Sequence, residues 1–202
     1  MRRWTKPALL ALAGAALAGV EAGAGPALAQ SAAAGAAPLP SAWMADGRTG
    51  CKVWDPEPEP GEGVRWSGGC VGGFASGPGV TEWVEHGLVT ERTEGSRVAG
   101  HLEGRGVQTL ANGDRFEGSW KDDRKEGRGS YAAAAGWTYT GEFKADRFDG
   151  MGVLTDGKGG RYEGAWKAGR RNGQGSYTGA DGSRFTGLWV DDEPAGGPRS
   201  TL

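Results

Sequence analysis

Cysteine, histidine and methionine are almost missing from this chain: two, two and three in 202 residues. His86 and His101 each stand without a Ser-His-Asp or Cys-His arrangement in the neighbouring sequence. Triad-type nucleophilic catalysis therefore finds no local support. Cys51 and Cys70 lack convergent histidines, so no metal site is expected. Net charge is also close to nil, −2 at neutral pH. A nucleic-acid-binding surface needs a clear basic excess, which this chain does not have. The polybasic cluster that anionic lipid attracts is missing as well. Long apolar runs are confined to the start, where Ala8 to Val20 is too short to span a bilayer comfortably. No membrane span is expected in the mature chain.

What is present begins with an export pattern. Arg2, Arg3 and Lys6 precede the apolar run, and Ala27-Leu28-Ala29 supplies small residues where signal peptidase requires them. Residues 1–29 read as a signal peptide cleaved near Ala29, which makes the mature protein periplasmic or secreted. The Arg2-Arg3 pair is compatible with general or twin-arginine export. Residues 30–48 are rich in Ala and Pro and have little to bury, so a disordered spacer is expected there. In an oxidising compartment Cys51 and Cys70 are most simply a disulfide, with two free buried thiols as the alternative. The bridge would be worth roughly 3 kcal/mol in the chain-entropy model.

Glycine, by contrast, is abundant, with 40 residues, and it is periodic. Gly118, Gly141, Gly164 and Gly187 are 23 residues apart, as are Gly127, Gly150, Gly173 and Gly196. Phe116, Tyr139, Tyr162 and Phe185 keep the same step, and so do Trp120, Phe143, Trp166 and Trp189. Two earlier units, around Thr93 and Trp66, keep the glycine spacing with weaker aromatics; the Trp66 unit carries an insertion around Glu85 to Val89. In Arg115-Phe116-Glu117-Gly118-Ser119-Trp120 the rings and glycine alternate with polar residues, the period of a strand. Asp122 to Lys125 is a polar turn, and Gly127 to Tyr131 is the return strand. Asn112-Gly113, Asp156-Gly157 and Asp181-Gly182 are turn dipeptides between units.

Units this short cannot close a core alone, but stacked hairpins share one. The expected fold is all-β: an elongated, twisted antiparallel sheet of tandem hairpins. The missing Cβ of glycine leaves room for a ring to lie flat on the backbone, which offsets the usual penalty for glycine in a strand.

Tyr/Phe-x-Gly-x-x-Trp/Phe followed by Gly-x-Gly, seen most fully in Tyr162-Glu163-Gly164-Ala165-Trp166 and Asn172-Gly173-Gln174-Gly175, resembles the MORN repeat. The resemblance covers six units over residues 66–196, with residues 197–202 as a tail. The leader at residues 49–65, a strand and the Pro56–Pro60 bridge, is similar to the start of exported bacterial MORN proteins. The resemblance implies that the disulfide ties a short edge strand to the first hairpin. It also implies a structural or protein-interaction module without a cofactor.

The expected function is therefore an exported, non-enzymatic scaffold for protein–protein interaction in the cell envelope. Phe116, Trp120, Tyr139, Phe143, Tyr162, Trp166, Phe185 and Trp189 form either a filled shared face or an open strip for a peptide or cell-wall glycan. Arg128, Arg147 and either Arg170 or Arg171 would flank such a strip. Phospholipid binding and a hydrolase built on Asp122-Asp123 and Asp191-Asp192 are lesser readings. Homo-oligomers are compatible with open sheet ends.

Overall fold

The computed structural model describes residues 42–196. The signal segment, residues 30–41 of the spacer and the tail at 197–202 lie outside the described residues. Alternating ring and charge yields strands throughout, and all fifteen belong to one open sheet.

The leader supplies β1 (Ala42–Ala45) and β2 (Lys52–Asp55), an antiparallel hairpin. Next come β3 (Glu62–Trp66) and β4 (Gly69–Val71), both paired to β5 (Phe74–Glu85). The pair β3 and β4 is one strand interrupted at Ser67-Gly68, the first strand of the first hairpin. Strands β6 (Leu88–Val98), β7 (His101–Leu110), β8 (Arg115–Lys121), β9 (Arg124–Ala132) and β10 (Thr138–Lys144) follow. The array ends with β11 (Arg147–Thr155), β12 (Arg161–Lys167), β13 (Arg170–Thr178), β14 (Arg184–Val190) and the short β15 (Glu193–Pro194). From β5 onward each strand pairs with its sequence neighbours.

Three local features differ from the sequence reading. Ala42–Ala45 is a strand, so order begins inside the stretch expected to be spacer. The cause is packing: Trp43 meets Trp54 and Phe74, with ring centroids 4.9 and 4.8 Å away. The insertion near Glu85 makes no loop. It lengthens β5 and β6 to 12 and 11 residues, joined by a tight His86-Gly87 turn. The turn expected at Asp122–Lys125 narrows to Asp122-Asp123, with φ of 48° and 62°. Both values are positive, the twist that suits a two-residue hairpin loop, so β9 starts at once with Arg124. The same geometry recurs at 99–100, 145–146, 168–169 and 191–192.

Within each full hairpin the register slips. Gly118 faces Gly129, but Trp120 faces Lys125, leaving Ser119 opposite a bulge at Gly127, whose φ is +74°. Bulges sharpen twist, and this one recurs at Gly150 and Gly173. Buried residues form two clusters: a ring-rich one from Leu102 to Trp189, and one joining leader to first hairpin around Val53, Trp66 and Trp83.

Candidate interaction surface

On one face the rings bury one another. Phe116, Tyr139 and Tyr162 are 1, 0 and 1% exposed, and Trp120, Phe143, Trp166 and Trp189 are buried with them. Phe185, the last of the eight expected ligand-surface residues, is half-buried. Each Trp or Phe meets the ring ahead of it edge-on: Phe116–Trp120 at 5.2 Å, Tyr139–Phe143 at 5.2 Å and Tyr162–Trp166 at 5.1 Å. Contacts also cross between units, such as Tyr162–Trp189 at 5.2 Å. Each first ring lies over paired glycines. A Cβ at Gly129, Gly152 or Gly175 would overlap Phe116, Tyr139 or Tyr162 respectively.

A third column completes the ladder: Leu102, Lys125, Phe148 and Arg171, again 23 apart. Phe148 stacks on Tyr139 at 3.6 Å. At the equivalent place Lys125 Nζ sits 5.2 Å from the Phe116 ring and 4.8 Å from Trp120, and the Arg171 guanidinium 4.4 Å from Trp189. A cation over a ring face is held by the ring quadrupole. Burial pushes the Lys125 pKa down, with the Asp146 carboxylate opposing it. The constant step was the sequence signal for this column; its mixed chemistry hid it.

The carboxylates of the turns divide into two kinds. Asp123 accepts hydrogen bonds from Leu102 N–H at 2.8 Å and Arg97 Nη1 at 3.0 Å. Asp146 accepts from Lys125 N–H and Asp192 from Arg171 N–H, each at 2.9 Å. These aspartates latch each hairpin to the one before it. Asp122 and Asp191 are exposed. The fold also brings His101 Nδ1 to 2.6 Å from Asp123, a pairing the sequence hid because 22 residues separate them. The imidazole packs against Trp43 and Trp54, and Asp123 compensates the buried Arg97 guanidinium. Arg147 and Arg170 are exposed, and Arg128 stands on the opposite face.

That opposite face is polar. Thr and Ser hydroxyls pair across strands, as in Ser130–Thr140 at 3.1 Å and Ser176–Thr186 at 2.8 Å. Arg115–Glu117 and Arg161–Glu163 form exposed ion pairs at 2.7 Å. Across β7 to β12 this face holds an open groove of about 480 Å³. Its floor is bare backbone at Gly129, Gly141 and Gly152. Arg105, Arg128 and Glu142 stand on one wall, and Glu117, Val153 and Glu163 on the other. Met151, 57% exposed, stands at its edge.

The MORN repeat model matches residues 98–115, 116–138, 139–161 and 162–184. Residues 98–184 belong to the MORN repeat family. Three of the four MORN units begin on the first ring of a hairpin: Phe116, Tyr139 and Tyr162. The hairpins starting at Trp66 and Phe185 lie outside the match and are joined to the MORN units by the continuous sheet. A comparison with curated proteins returned no match. MORN repeats suggest a scaffold of the kind that meets proteins or membranes, on an all-β fold that is typically non-catalytic. Cys51 and Cys70 are bridged, with Cα atoms 5.7 Å apart. The bridge points to a non-reducing compartment. Among the described residues no helix is long and apolar enough to cross a membrane.

Proposed function

We propose that this chain is an exported, non-enzymatic scaffold that binds a protein partner in the cell envelope, using the groove on its polar face. The observation carrying the reading is the groove's floor. That floor is strand backbone, because the side-chain positions of Gly129, Gly141 and Gly152 face the ring ladder, and the arginine, glutamate and Met151 side chains around it offer charge-assisted and apolar contacts. The eight ladder aromatics serve the surface from beneath by fixing twist and spacing. Residues 66–196 are the binding array, residues 49–65 its leader, and residues 1–29 a signal removed on export. An Arg128→Glu/Met151→Glu variant should keep its circular dichroism and lose the envelope protein captured by wild type. Wild type capturing nothing above background, or the variant capturing the same protein, would refute the groove. N-terminal sequencing of the mature chain should begin at Gln30; retention of residues 1–29 would refute the cleaved signal.

A glycan-binding reading draws its support from Trp43, 40% exposed beside Trp54 and Phe74. Such a ring is open to stack on a sugar. It predicts retention on purified peptidoglycan in a sedimentation assay and loss of that retention in Trp43→Ala.

A further inference from the structure

Acidic residues outnumber basic ones eight to three over residues 46–91. Against that background the fold gathers cations at one place. A hollow of about 430 Å³ opens on the polar face of β3, β5 and β6, bordered by Arg48, Arg65 and Arg92. Residues 42–97 contain four arginines, and the fourth, Arg97, is buried. In the strand register Arg65 faces Glu82, and Glu82 faces Arg92. Ser67 and Val80 line the hollow beside that row. Arg48 comes from the turn between β1 and β2, and the buried Asp46 carboxylate fixes it there. One carboxylate oxygen accepts the Arg48 N–H at 2.8 Å and the other the Trp66 N–H at 3.0 Å. The Arg48 guanidinium then reaches the Trp66 carbonyl at 3.4 Å, next to Arg65 and Ser67.

These arginines have binding capacity to spare. Arg97 bonds its three partners at 2.8, 2.7 and 3.0 Å. By contrast, Arg48 stands 3.6 Å from Asp46, and Arg65 stands 3.6 Å from Glu82. Both distances exceed the roughly 2.7–2.9 Å of a charge-assisted hydrogen bond. Arg92 contacts Glu94 on its own strand. All three arginines are exposed. Ser67 Oγ accepts the Val80 N–H at 2.8 Å, a bond that does not use the hydroxyl hydrogen.

The placement of Glu82 selects the ligand. It stands between Arg65 and Arg92, whose strands are about 10 Å apart. A compact phosphate headgroup centred on the hollow would meet this carboxylate. A membrane surface would meet Glu94 as well. Two carboxylates set apart meet the cations on either side of Glu82. Alternate side chains of an extended peptide point the same way and are about 6.8 Å apart, a spacing that long arginine side chains can match. We infer that the hollow binds an extended acidic peptide segment with carboxylates at alternate positions. Arg48 and Arg65 hold one carboxylate, with the Ser67 hydroxyl donating to it, and Arg92 holds the other. A guanidinium fork grips a carboxylate through paired hydrogen bonds. The site is separate from the groove across β7 to β12 and does not rest on it. Because the leader carries Arg48, the site is complete only when the leader is docked.

Fluorescence anisotropy with a labelled Thr-Glu-Thr-Glu-Thr peptide tests this on the mature full-length protein. Binding should saturate and weaken as salt rises. The chain's net charge is −2, so general attraction does not draw an acidic peptide to it. Arg92→Glu should weaken binding about tenfold, because it removes a charge-assisted contact and adds a repulsion. Arg48→Gln, in a turn instead of a strand, should also weaken it, so the outcome does not hang on one variant's folding. Arg184→Glu, on β14 at the other end of the sheet, should bind as wild type does. Absence of peptide binding at low salt would overturn the proposal. So would unchanged binding in both Arg92→Glu and Arg48→Gln, or equal binding of a Thr-Thr-Glu-Glu-Thr peptide. Tighter binding to phosphatidylinositol phosphate vesicles than to the peptide, lost in the same variants, would make a membrane the occupant instead.

Discussion

Single atoms decide what each residue position tolerates. Gly152 and Gly63 are both strand glycines, yet alanine should act on them in opposite ways. At Gly152 a methyl would run into the Tyr139 ring, whereas at Gly63 its nearest neighbour is the Val84 carbonyl at 3.9 Å. Urea unfolding should show Gly152→Ala costing about 3 kcal/mol by overpacking. Gly63→Ala should be neutral or stabilising by about 0.5 kcal/mol, since it restricts the unfolded chain. Equal losses at both sites would remove the ring-over-glycine argument. Lys125 offers a second contrast, because Phe148 fills the equivalent place with no charge. Burial of the ammonium lowers its pKa against the pull of Asp146, so the folded state disfavours the cation. That penalty is complete below the folded value and fades as pH rises from it towards the ordinary lysine value. Lys125→Met should raise the Tm, by about 1 kcal/mol of stability, and its advantage should shrink at alkaline pH. A lower Tm would mean that the cation–ring contacts outweigh the desolvation.

At the scale of the hairpin, the latch matters more than the turn. Asp122 and Asp123 are adjacent and chemically identical, but Asp123 holds Leu102, Arg97 and His101 while Asp122 is exposed. Asp123→Ala leaves the buried Arg97 uncompensated and should cost about 3 kcal/mol or more. Asp122→Ala should stay within about 0.5 kcal/mol. Chemical denaturation of the two variants side by side measures the difference, and equal effects would dispose of the latch. This pair also shows where sequence reading stops. The 23-residue step exposed the strands, the ring columns and the glycine row, because each is a local alternation repeated. It did not expose the latch, because an aspartate in a polar turn has the same local pattern whether it solvates the turn or grips the previous hairpin. The groove was hidden for a similar reason. Its residues are the polar half of the alternation, and only the register of six strands brings Arg128, Glu142 and Met151 to one place. The start of order at Ala42 was obscured by the Ala/Pro-rich composition around Trp43.

Across the whole molecule, the hairpins of the array pair in sequence order and the leader reaches on to the Gly100-His101 turn of the second hairpin, so stability should be distributed along the array and not shared equally. The leader is where that distribution is most uneven. Its hairpin is held by the Cys51–Cys70 bridge, by Trp66 and by Asp46. Burial alone would raise the Asp46 pKa, but the N–H groups of Arg48 and Trp66 hold the carboxyl below its ordinary value. A carboxylate depressed in this way stabilises the fold above the unfolded pKa, and the contribution is lost as pH falls through the folded value. Removing the bridge with Cys51→Ser/Cys70→Ser should cost the leader about 3 kcal/mol through loop entropy. The loss should deepen in acid, because Asp46 is then the principal remaining polar tie between leader and β3. Hydrogen exchange read by mass spectrometry should show protection falling over residues 42–85 while residues 138–190 keep theirs. A uniform loss along the chain would mean that the array unfolds as one unit, and that the leader is a foundation for every hairpin instead of a cap on the first.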